Sequence, residues 1–207
     1  MHVAMLSIRV YLCLIGGVSM TPQRSSELNS AVECLNELIE RITPPTEFEL
    51  ARLDGDIRRL GNVDVVESQC LRGMYYALQG DLENTTKWFD MALRSSPDNP
   101  RIYINYASML SRLEQHERAM ELALDGVSRE SSPGYINILL LCAYYADASN
   151  VMDEWLPKYE KIAGKPHEVF FWLQEDAEDE SEIAEMGDEM RKGPHTSWED
   201  VKKELGL

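Results

Sequence analysis

Along most of this chain hydrophobic residues recur three and four positions apart, the spacing that lines one face of an α-helix. Between Glu27 and Ile42 the apolar set is Leu28, Val32, Leu35, Leu38, Ile39 and Ile42, and a second such stretch runs from Phe48 to Leu60. Thr43-Pro44-Pro45 separates the two, and proline cannot continue a helix, so they read as a helix pair with Ala51 at the small position of its second member. Residues 135–146 (YINILLLCAYYA) and 151–163 (VMDEWLPKYEKIA) make another pair, with Pro157 inside the second helix. Strand patterns are absent apart from a short apolar run near the N-terminus. The pattern predicts an all-α fold assembled from helix pairs.

In the middle of the chain a longer period is laid over the helical one. Residues 66–99 and 100–133 are two units of 34 residues that repeat one set of landmarks. Gly73 stands where the first helix needs a small residue for its partner's close approach, Tyr76 follows one turn later, and Gly80-Asp81 makes the turn between helices. Phe89, Ala92 and Leu93 supply the inner face of the second helix, which Pro97-Asp98-Asn99 ends. In the second unit Ala107 replaces Gly73, Leu110 replaces Tyr76, Ala119 opens the crossing and Gly126 replaces Ala92. Helix axes within about 8 to 10 Å of each other tolerate only such small residues at the contact.

This length and these landmarks resemble the tetratricopeptide repeat (TPR). The resemblance implies a helical-hairpin solenoid of three to four helix pairs over residues 20–164, with a peptide or helix held in a concave groove. It also implies that Glu67, Cys70, Leu71, Met74 and Leu78 of one repeat, and Arg101, Ile104, Asn105, Ser108 and Arg112 of the next, face that groove. Met74, Arg101, Asn105 and Arg112 are its expected partner-binding residues. TPR proteins that clamp a terminal carboxylate carry a Lys and an Asn where this chain has Cys70 and Met74.

Residues 165–207 differ from the repeats in charge. They hold 13 acids against 5 bases, a net −8, half of the whole chain's −16. An apolar cluster, Val169 to Leu173, is expected to cap the solenoid, and the acidic run Glu175 to Glu182 then reads as a linker. Beyond it Ile183, Met186 and Met190 fall on one helical stripe. After Gly193-Pro194, Trp198, Val201 and Leu205 fall on another, with Thr196-Ser197 as its cap. Helices this short do not hold alone in water, so their apolar stripes need a surface to bury them. The segment EIAEMGDEMRKGPHTSWEDVKKELGL resembles the toxin-binding end of RelB/Phd-type antitoxins. That likeness implies that Trp198, Val201 and Leu205 enter a toxin groove while Met186 and Met190 wrap the adjacent surface, the partner being a small basic ribonuclease-type toxin; the other reading is that residues 183–207 fold back on the solenoid as closing helices.

Composition narrows the remaining classes. The acid excess opposes direct nucleic-acid binding and favours a basic protein partner. Cys13, Cys34, Cys70 and Cys142 lie far apart, and the histidines are equally scattered, so neither a disulfide framework nor a metal site is expected. No phosphate loop, GxSxG or local Cys/His signature is present, and neither an enzyme nor a cofactor is expected. Residues 1–19 are read as an extension upstream of a start at Met20, which makes the protein cytoplasmic; the other reading is a weak secretory signal, too short to span a membrane. The expected function is protein–protein interaction. An antitoxin that neutralises a basic toxin through its tail is the sharper form, and a TPR chaperone or assembly adaptor using its groove is the alternative.

Overall fold

A computed structural model of the chain describes residues 22–39, 41 and 43–176. The chain forms two compact units, Met1–Pro166 and His167–Leu207. Among the described residues all regular structure is helical, and the expectations for Met186, Met190, Trp198, Val201 and Leu205 lie outside them.

The first unit is a helical-repeat array of four hairpins: α1 (Pro22–Ile39) with α2 (Glu47–Gly61), α3 (Val65–Ala77) with α4 (Leu82–Ser95), α5 (Pro100–Arg112) with α6 (His116–Arg129), and α7 (Pro133–Tyr145) with α8 (Ser149–Ala163). Short connections make the partners antiparallel. Each even-numbered helix from α2 to α6 also packs on the odd-numbered helix that follows, and α1, α3, α5 and α7 contact one another in sequence. The odd helices thus form one layer and the even helices a second behind it.

Local chemistry sets the helix ends. Thr46 and Glu49 close a capping box at the start of α2, Asp64 caps α3, Asp81 caps α4, Asn99 caps α5 ahead of Pro100, and Ser132 caps α7 ahead of Pro133. The turn is the same in three successive hairpins. The amides of Asp81, Gln115 and Ala148 donate to the carbonyls of Tyr76, Leu110 and Ala143 at 3.0, 2.9 and 2.9 Å. The residue before each amide is left-handed: Gly80 at φ 74°, Glu114 at 60° and Asp147 at 52°. Glycine was expected at one of these turns; the other two place Glu and Asp in a conformation those residues adopt at some cost.

Packing confirms why Gly73 is small. A Cβ there would meet the Phe89 ring at 2.6 Å, and one on Gly126 would meet Ile104 at 2.8 Å. Phe89 is fully buried and stacks on Tyr106 of the next hairpin with centroids 4.7 Å apart and planes 9° from parallel. Arg118 closes the column, donating to the Tyr106 hydroxyl at 2.5 Å and lying over its ring at 5.3 Å. One column of side chains therefore joins α4, α5 and α6, and it rests on Gly73 of α3. Each fully buried side chain of this size contributes about 1.5 to 3 kcal/mol.

In the first hairpin, Leu28, Val32, Leu35, Leu38 and Ile39 of α1 are buried as their spacing predicts. Ala51 departs from expectation and is exposed, because α2 turns Leu53, Asp56, Ile57 and Leu60 inward and position 51 falls on the opposite side. Ser30 donates to the buried Asp56 carboxylate, which also pairs with Arg59, so a polar bridge accompanies the apolar contact of α1 with α2. Helix α8 runs through Pro157 and ends at Gly164, whose φ of 70° stops it.

In the second unit residues 168–176 are helical, with the His167 ring nitrogen Nδ1 accepting from the Val169 amide at 3.1 Å as an N-terminal cap. Val169 is buried. Phe170 and Phe171 meet edge to face at 5.7 Å and are 44% and 51% exposed.

Candidate functional site

The inner layer was the expected binding face, and it is largely closed. Helix α5 packs on α3, α4, α6 and α7, and every residue from Ile102 to Ser111 is buried. Met74 is fully buried and Asn105 is 3% exposed, so both are corrected from groove contacts to interior residues. The physical reason is that helical spacing identifies a face but not what covers it, and inner helices have neighbours nearly all round. Cys70, Leu71, Leu78, Ile104 and Ser108 share that fate.

Arg101 is held in an ion pair with Glu67, joining α5 to α3, and both side chains are nearly inaccessible at 14% and 8%. A pair so placed fixes how two hairpins register and offers little free charge to a ligand. Arg112, at the end of α5, is exposed. The Ser108 hydroxyl is buried without a hydrogen-bond partner, an uncommon state for such a group.

The thiols are inert packing groups. Burial pushes both Cys70 and Cys142 up to about 12, with Asp64 adding to the rise at Cys70 and a Ser111 hydrogen bond opposing it at Cys142. Cys34 is also raised by burial, and these three cysteines are free. Thiols in this state are protonated at neutral pH and poor nucleophiles. Among the described residues no group of His, Cys, Asp and Glu is arranged to hold a metal ion, and no helix is long and apolar enough to cross a membrane.

The exposed charges of α6 are of both signs. Glu117, Glu121 and Asp125 stand at i, i+4 and i+8 on α6, all exposed, with exposed Glu114 in the preceding turn. Arg129 approaches Asp125 at 3.8 Å. Like charges four apart on a helix cost about 0.2 to 0.5 kcal/mol per pair, and the Arg129–Asp125 pair offsets part of that cost. Sequence reading did not single out this ridge, although the four-residue spacing of carboxylates was visible.

No family model matches the chain, and no solved structure matches it. An uncharacterized protein of Haemophilus influenzae is 27% identical over 155 residues, covering 72% of this chain and 86% of that protein.

Proposed function

We propose that the chain acts by binding another protein rather than by turnover, as a TPR-type interaction module of the cytoplasm whose partner is basic. What supports this reading is the array of four helical hairpins, an architecture that offers surface to a partner, together with a tail of 13 acids against 5 bases that a cationic surface would match. A chain charge of −16 extends the same preference and disfavours direct nucleic-acid contact. Contact is assigned to the acidic segment 165–207, with Met186, Met190, Trp198, Val201 and Leu205 as apolar anchors. The sharpest partner class is a small basic ribonuclease-type toxin, neutralised as RelB/Phd-type antitoxins neutralise theirs. A second reading, a chaperone or assembly adaptor that takes a peptide or helix on the repeat array, rests on the TPR-like spacing of residues 66–133 and on Arg112, which stays exposed at the end of α5.

The test starts from a partner recovered with the full chain, identified, and made recombinantly. Titration calorimetry then compares the full chain, W198A and a truncation after Leu173. Loss of about 2 kcal/mol or more in W198A, and of all binding in the truncation, is expected, with affinity falling as salt rises. Full affinity in the truncated chain would return the function to the repeat array. Growth arrest by the partner alone, relieved by this chain, is the toxin outcome; a partner harmless on its own would remove the toxin class and leave an adaptor.

A further inference from the structure

We draw no further inference here: the strongest candidate, the carboxylate ridge of Glu117, Glu121 and Asp125 along α6, is an acidic cluster with no second observation that points to a ligand.

Discussion

In α3–α4 and α5–α6 a glycine of one helix receives a large side chain of the other, Gly73 against Phe89 and Gly126 against Ile104, whereas α7–α8 has Leu140 and Tyr159 where those glycines stand. Counting back from the shared turn hydrogen bond, Gly73 and Ala107 correspond to Leu140; counting forward, Phe89 and Ala123 correspond to Leu156, and Ala92 and Gly126 to Tyr159. Leu140 is fully buried and Tyr159 is 9% exposed, so the fourth hairpin is filled as well, with bulk in place of close approach. Since the distance between packed helices follows the side chains at the contact, α7 and α8 should cross farther apart than α3 and α4, where the Phe89 ring lies against Gly73. The repeat signature therefore reports how closely two helices cross, while the hairpin itself needs only complementary volume.

The largest expected effect breaks the close crossing. G73L drives a side chain into the Phe89 ring, which Tyr106 backs and which therefore has nowhere to go. Overpacking of this kind costs about 3 kcal/mol or more, a fall of about 6 to 12 °C in the thermal midpoint of a chain this size. Adding F89A should recover part of the loss, because the two changes share one contact. An unchanged midpoint in G73L, read by circular dichroism, would remove the basis for contrasting the hairpins.

The converse change tests the bulky hairpin. L140A gives α7 the residue that α5 carries at Ala107, yet here it should leave a cavity and cost about 2 to 3 kcal/mol. Chemical denaturation measures it, and a variant as stable as the parent would show that α7 and α8 already cross as closely as α3 and α4.

This contrast also explains what could be read in advance. Four hairpins, Gly73 and the Gly80 turn follow from local spacing and backbone chemistry, which are properties of short segments. The Phe89–Tyr106–Arg118 column joins residues from three helices, and only the register between hairpins brings them together. Left-handed Glu114 and Asp147 escape notice because their residue types do not require that conformation. Repeat spacing places Met74 on α3 and Asn105 on α5, but their burial depends on neighbours from other repeats.

Capping separates the same hairpins more gently. Asp81 caps α4 with its side chain, while Gln115 before α6 and Ala148 before α8 make no such bond despite similar backbone angles. A148S should stabilise the chain by about 1 kcal/mol, and Q115S by a similar amount. If neither raises the denaturation midpoint, the orphan amides at these helix starts are already satisfied, and capping does not distinguish the hairpins.

The smallest effect concerns the first hairpin, whose α2 cap titrates where that of α8 has nothing to titrate. The Glu49 carboxyl is held at about 2, against an ordinary 4.5, chiefly by the Arg41 guanidinium at 2.7 Å and then by the backbone amide and hydroxyl of Thr46. Because the folded value lies below the unfolded one, the unfolded chain takes up this proton first as pH falls. Its contribution to stability is therefore complete above about pH 4.5 and is lost progressively between about 4.5 and 2. E49Q should lower stability slightly at neutral pH and make the decline through that window shallower, so that the two curves converge near pH 2. Arg41 and Glu49 are 39% and 29% exposed, so added salt should narrow the gap by screening the pair. Urea midpoints of parent and variant, measured across the window at low and high salt, decide the matter. Curves that stay parallel down to pH 2 would mean that the Thr46 cap holds α2 without help from the charge on Glu49.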